Sequence, residues 1–262
     1  MPPFNQHAAP ADSLSVITAW DIPSLVHGFG GRSGGVSTGP FASFNLAEWV
    51  GDQPLAVSEN WRRWNSRYPH LRVARLAQVH GKSVHMIDPT HDGKRREGDG
   101  MVTATPGIAL GIFTADCVPI LMVDVERRVA GALHAGWRGT LANIAGEGVH
   151  AMVARGAQPA SIRAALGPSI GPCCFEVDAA LAAEFAAHVP GASTHTRGGK
   201  PGKAYLDLRA IIRDQLEREG LAPDSIASVG PCTRCANDTY FSRRAAGGTT
   251  SGLQMSFIAF PR

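Results

Sequence analysis

The stretch "LGIFTADCVPILMVD", residues 110–124, decides how the rest of the chain is read. Two apolar runs read as strands, and Thr114, Ala115, Asp116 and Cys117 are pushed into the join between them. Burying an acid beside a thiol costs free energy unless both find partners. The pair therefore calls for groups from elsewhere in the chain.

Working outward, "RRVAGALHAG" continues the pattern as a further strand, and "LVHGFGG", "ARLAQVHGKSVHMID" and "IRAALGPSIGPCCFEV" read as extended segments ending in Gly or Pro turns. "AVSENWRRWNSRY" (56–68) places Val57, Trp61 and Trp64 at helical spacing. "TLANIAGEGVHAMVARG" (140–156) predicts one helix closed by Gly156. Asp178 and Asp207 read as caps of two more helices, the second ending at Gly220. "LSVITAW", "IASVG" and "TYFSRRAAGGTTSGLQMSFIAF" return to strand. Residues 30–47 form a Gly/Ser loop, and residues 1–13 a loose Pro/Ala tail. With no fixed-period repeat and no linker, residues 1–262 read as a single α+β domain of mixed sheets and outer helices.

Composition narrows the function. A chain of 262 residues that is 44% hydrophobic and 18% charged matches ordinary globular proteins. Its net charge of +3 is too small for a nucleic-acid binder, and its densest basic cluster, "GKRRE" (93–97), reads as a solvated loop. No apolar run is long enough to span a bilayer, and no secretory signal opens the chain, so a cytoplasmic location is expected. Five cysteines, an odd number, point to thiol or metal chemistry rather than disulfides.

Three Gly-flanked strand ends carry reactive residues: His80 in "QVHGKSV", Asp116 and Cys117 in "TADC", and His134 in "LHAGWRGT". Singly, each is weak, because a lone His is more often a hydrogen-bonded core residue and a lone Cys more often a small buried hydrophobe. Together, "HGFGGRSGGVSTGPFASFNLAEWVGD", "QVHGKSV", "TADCVPILMVD", "VAGALHAGWRGT", "ALGPSIGPCCFEV" and "CTRCANDTYFSRR" occur in an order that resembles the YfiH-type laccase-domain family, from His27 to the C-terminus.

The resemblance implies layered mixed β-sheets flanked by helices, an arrangement also seen in some cysteine-hydrolase-like toxins. It implies a metal held by His80, Cys117 and His134. Two imidazoles and a thiolate suit zinc, and three ligands leave a position open. Zinc would bring the pKa of a bound water towards ~7. Beside it, Asp116 is a candidate catalytic partner of Cys117, orienting a ligand imidazole or carrying a proton; capping its own turn is the alternative. Arg32 and Arg138 are candidates for phosphate, and Asn45 for a ribose hydroxyl or a base edge, each weighed against loop bracing.

The implied activity is purine nucleoside chemistry: phosphorolysis of adenosine, inosine and guanosine, and deamination of adenosine. Purine nucleosides and phosphate are then the partners, with neither nucleic acid nor membrane. Three rivals stand beside it. One is a copper-dependent phenol oxidase, which wants more His ligands than the motifs offer. The second is a hydrolase editing peptidoglycan precursors, and the third a binding module with a structural metal.

Two motifs need separate comment. "PCTRC" (231–235) matches half of a nucleobase-deaminase zinc signature, but no His-x-Glu accompanies it. Cys232 and Cys235 thus read as lacking the partner that signature requires, with a second metal site or redox pair as the alternative, and Cys173 and Cys174 read as structural, one facing inward and one outward. The chain also departs from the family pattern at Gly30 and Gly31, expected to widen a pocket mouth, and at Leu253, where an Arg often stands.

Overall fold

Residues 110–124 turn out to change layer at the join. The computed structural model describes residues 16–262, so the expected tail lies outside the described residues. In it, β6 (Ile108–Thr114) belongs to a five-stranded sheet and β7 (Val118–Asp124) to a six-stranded one. The first sheet runs β1 (Val16–Ile17), β2 (Val26–Gly30), β14 (Gln254–Ala259), β6 and β3 (Arg72–Ala74). The second runs β13 (Ile226–Ser228), β9 (Arg163–Leu166), β7, β8 (Val129–Ala135), β5 (Gly100–Thr103) and β4 (Val84–Met86). A small third sheet joins β10 (Glu176–Asp178), β12 (Lys203–Leu206) and β11 (Thr196–Gly198).

Strand alternation explains why β6 and β7 are apolar throughout: successive side chains point to opposite faces, and both faces are covered. Leu110 and Ile112 of β6 meet Leu121 and Val123 of β7 in the core between the two large sheets. On the outer side, Phe113 packs with Phe257 and with Trp64 of helix α1 (Pro54–Arg67). Trp64 is fully buried there, and burial of so large an apolar side chain is worth about 3 kcal/mol. On the far side, Ile120 and Met122 pack against α3 (Ile144–Val153) and α5 (Leu208–Arg218). The result is α+β: two mixed sheets face to face with helices outside them.

Several local expectations change. The helix read over 140–156 breaks into α2 (Trp137–Leu141) and α3, because Asn143 is left-handed (φ 61°) and caps α3 by accepting from the Gly146 N–H. Asp207 caps α5 through the Ala210 N–H, as its position predicts. Asp178 precedes α4 (Ala179–His188) without capping it, since its carboxylate takes Lys203 instead. The strand read over 239–260 is confined to β14. Residues before it are turns, held because the Gln254 amide both accepts the Phe241 N–H (2.7 Å) and donates to the Phe241 carbonyl (3.2 Å). Gly30 serves backbone packing: a Cβ there would lie 2.6 Å from the Met255 carbonyl oxygen. Among the described residues, no helix is long and apolar enough to cross a membrane.

Candidate metal centre

Cys117 lies at the crossing between layers, one residue before β7 begins. The β7–β8 register pairs Pro119 with His134 and Val118 with Ala135, which brings Cys117 beside Gly136. Gly136 leaves room for it: a Cβ there would sit 3.1 Å from Cys117 Sγ and 2.9 Å from His80 Cδ2. His80 comes from the loop between β3 and β4. Its ring meets that of His134 edge-on, with centroids 4.8 Å apart. One ligand atom from each of His80, Cys117 and His134 lies within 4.8 Å of the others.

Asp99 builds this geometry, and sequence reading did not single it out. Its carboxylate is fully buried and accepts the N–H groups of Val79 (3.2 Å), His80 (2.9 Å) and Gly81 (2.6 Å). It also receives Nδ1 of His134 at 2.8 Å. An ionised carboxylate only accepts, so Nδ1 carries a proton, and Nε2 is the nitrogen left for a metal, which would displace any proton held there. One acid thus orients the His134 ring and holds the His80 backbone. His80 is held in the left-handed region (φ 62°), as is Asp116 (φ 98°). Such backbone persists only where its surroundings over-determine it, and it gathers at functional sites. A signal for Asp99 did exist: "EGDGMV" places an acid between glycines before a strand, the context that marked the ligands.

Charges inside the centre reinforce one another. Burial pushes the Cys117 thiol up, but the His134 cation and hydrogen bonds from His134 and His80 outweigh it and bring the thiol down to about 6. Burial likewise pushes His134 down, while the Cys117 thiolate and Asp99 raise it to about 9. The site therefore favours a thiolate, the form that ligates metal. His134 is buried, Cys117 half-buried and His80 exposed, so the centre opens to solvent on the His80 side. Two nitrogens and a sulfur with an accessible side fit a zinc with a free position.

Other predicted residues take different places. Asp116 accepts the Thr233 hydroxyl at 2.6 Å and the Arg244 N–H at 2.7 Å. Its own carbonyl accepts the Ile170 N–H. Asp99, not Asp116, orients the His134 imidazole, and Asp116 ties the loop that carries Cys117 to two neighbouring loops. Arg32 braces its loop, donating to the carbonyls of Ala42 (2.7 Å) and Asn237 (2.5 Å) while stacking on Phe241. Asn45 is fully buried. Its amide donates to Ala47 and Asp52 and accepts from Ala47 and Leu253, which leaves nothing for a ribose. Leu253 is thus part of a brace in which its backbone, not its side chain, acts. Arg138 is exposed, two residues beyond Gly136, and stacks on Trp137 at 4.2 Å. Cys232 and Cys235, expected to stand alone, lie beside Cys173 and Cys174.

The model of the multi-copper polyphenol oxidoreductase laccase family matches residues 26–261. The chain belongs to this YfiH-type laccase-domain family. A purine nucleoside phosphorylase of Mycobacterium tuberculosis is 42% identical over 215 residues, covering 81% of this chain and 84% of the relative. One of Deinococcus radiodurans is 41% identical over 255 residues, covering 96% and 95%. The crystal structure of YlmD from Geobacillus stearothermophilus superposes with a TM-score of 0.86 at 32% identity, covering 99% of each chain. The family's laccase description does not by itself demand several coppers here: the three-residue centre offers three ligands, and its donor set suits a single ion.

Proposed function

We propose that the protein is a zinc-dependent purine nucleoside enzyme that cleaves inosine, guanosine and adenosine with phosphate and deaminates adenosine with water. The observation that carries this reading is the His80–Cys117–His134 cluster, open on one side and preorganised by Asp99. The phosphorylase names of relatives near 40% identity support the substrate class.

His80, Cys117 and His134 would hold the zinc, with Asp99 fixing the imidazole of one and the backbone of another. A bound zinc supplies Lewis acidity, polarising an oxygen at its open position and making water acidic enough to attack near neutral pH. In phosphorolysis, phosphate displaces the purine from C1′ of the ribose, giving free base and ribose 1-phosphate. In deamination, water replaces the amino group at purine C6 and ammonia leaves. Arg138 is the candidate for phosphate, because its guanidinium is exposed and stacked on Trp137, with its donors turned to no protein acceptor among the described hydrogen bonds. Arg32 is already committed to its own loop.

Chromatography of inosine and adenosine incubations, with and without phosphate, tests the proposal. Base release from inosine should require phosphate, whereas conversion of adenosine to inosine should not. Arg138→Ala should raise KM for phosphate severalfold and leave deamination unchanged. Zinc-replete protein that neither releases base nor deaminates would end the nucleoside reading, and oxygen uptake with a phenol would replace it.

A further inference from the structure

The reading above leaves four of the five cysteines unused. Cys173 and Cys174 lie in the turn between β9 and β10, and Cys232 and Cys235 in the turns after β13. The two turns are laced together. Thr233 N–H donates to the Ser169 carbonyl, and Ser169 and Cys232 form a parallel bridge. All four sulfurs lie within 4.8 Å of one another, with Cys174 to Cys235 at 3.4 Å and Cys173 to Cys235 at 3.7 Å. No pair is disulfide-bonded.

We propose that Cys173, Cys174, Cys232 and Cys235 form a second, structural zinc site. A tetrahedral ion with metal–sulfur bonds of about 2.3 Å sets its four sulfurs about 3.8 Å apart, the spacing that the measured pairs approach. An all-sulfur tetrahedron is a set that selects zinc over harder cations, and four ligands close the coordination sphere. Cys232-x-x-Cys235 supplies one half from a single turn, and adjacent Cys173 and Cys174 supply the other.

Two of the four sulfurs accept hydrogen bonds from outside the cluster. The Gly171 N–H donates to Cys232 Sγ at 3.2 Å, and the Arg234 guanidinium donates to Cys174 Sγ at 3.6 Å. Arg244 reaches the carbonyls of Cys174 and Glu176. These cations offset the double negative charge that four thiolates and one Zn2+ carry together. Each thiol gives its proton to solvent as the ion enters. Gly171 permits the approach of the turns, since a Cβ there would lie 3.3 Å from Cys232 Cβ. The zinc would pin the two turns that grip Asp116 through Ile170 and Thr233, and so hold the loop that ends at Cys117.

The test is metal stoichiometry of the full chain, purified under reducing conditions without chelator. Wild type should hold about two zinc ions, and His134→Ala about one, released to a chromogenic chelator when a mercurial blocks the thiols. Cys235→Ser, at an exposed position, should also hold about one, its remaining ion being the one at His80, Cys117 and His134. Cobalt added to metal-stripped His134→Ala should give the intense thiolate charge-transfer band of a tetrahedral site, and His134→Ala/Cys235→Ser should lack it. If His134→Ala is insoluble, the drop from two ions to one in Cys235→Ser alone carries the test. Wild type with a single ion that Cys235→Ser retains would overturn the proposal. So would a metal-free intact mass two hydrogens short, the mark of a disulfide.

Discussion

At the His80–Cys117–His134 centre, three candidate ligands from three separate segments mix nitrogen with sulfur and leave one side open, with left-handed backbone at His80 and at Asp116 beside Cys117. At the four-cysteine cluster, two turns supply only sulfur, two of the cysteines being exposed. The first arrangement spends stability on His80 and Asp116 conformations and recovers it through a buried carboxylate that makes four contacts. The second has no such acid: a backbone N–H and one arginine donate to its sulfurs, and Arg244 braces the adjoining carbonyls. On the two proposals made above, the difference separates a site that would admit a reactant from one that would hold two turns. Asp116 stands between them, one residue from Cys117 and bonded to Thr233 of the cysteine turn.

The largest effect should come from breaking the open centre alone. Cys117→Ser replaces a soft thiolate by a hydroxyl of similar size, so metal affinity should collapse while packing survives. We expect turnover to fall at least about a hundredfold, with a modest change in melting temperature and loss of one ion of the two. A variant with full activity and no bound metal would refute the assignment of Cys117.

Asp99→Asn should come next. The amide can still accept from one side, but its NH2 then faces backbone N–H donors where the carboxylate accepted them. Metal affinity should drop by about 10- to 100-fold, the usual cost of removing a carboxylate that orients a ligand histidine. Isothermal titration of zinc into stripped protein measures it, and Asp116→Asn should affect that affinity far less. Equal losses in the two variants would contradict the division of labour between these acids.

Thr233→Val should show how tightly the two centres are joined. It deletes the 2.6 Å hydrogen bond to the Asp116 carboxylate and leaves every proposed ligand in place. A hydrogen bond to a charged group is worth about 1.5–3 kcal/mol, which a chemical melt resolves. Both ions should remain bound, while turnover falls a fewfold because the Cys117 loop is held less firmly. Loss of stability with unchanged turnover would show that Asp116 supports the fold without bearing on the open centre.

How much of this could be read from residues alone follows from where the information lies. The strands on either side of the "TADC" join were legible because both faces of β6 and β7 are buried, so every position is apolar. That the join changes sheets was not legible, because the same apolar runs would serve two strands of one sheet. The family resemblance, added to three Gly-flanked strand ends, singles out His80, Cys117 and His134, and the structure brings these side chains together. Asp99 was passed over because an acid between glycines usually marks an exposed turn. Its buried role depends on Val79, His80 and Gly81, which reach it only in three dimensions. In sequence, Arg32 in a Gly-rich loop resembles part of an anion cradle and Asn45 offers an amide to a ribose or base, and loop bracing, the alternative for each, looks no different there. Their donors are committed to carbonyls and carboxylates that no local pattern reveals. The cysteine cluster joins turns some sixty residues apart, so neither half carried a complete spacing signal.

The smallest effect at neutral pH concerns acid, which threatens both centres by protonating their thiolates and histidines. A third acid-sensitive group must be separated from them before the comparison can be pressed. His27 on β2 is buried, and its Nε2 accepts the N–H groups of Ala19 (3.1 Å) and Trp20 (3.2 Å). Burial pushes its pKa down to about 4 from the ordinary 6.5. The folded protein therefore binds this proton less readily than the unfolded chain does, so stability is complete above about 6.5 and declines as pH falls towards 4. The decline could reach about 3 kcal/mol at the acid end. His27→Gln keeps an acceptor for both N–H groups but cannot titrate. Its stability between pH 7 and pH 4.5, measured by urea melts on metal-stripped protein, should fall less steeply than that of wild type, with activity at pH 7.5 unchanged. Parallel slopes for the two proteins would remove His27 from the acid response and leave it to the thiolates and the remaining histidines.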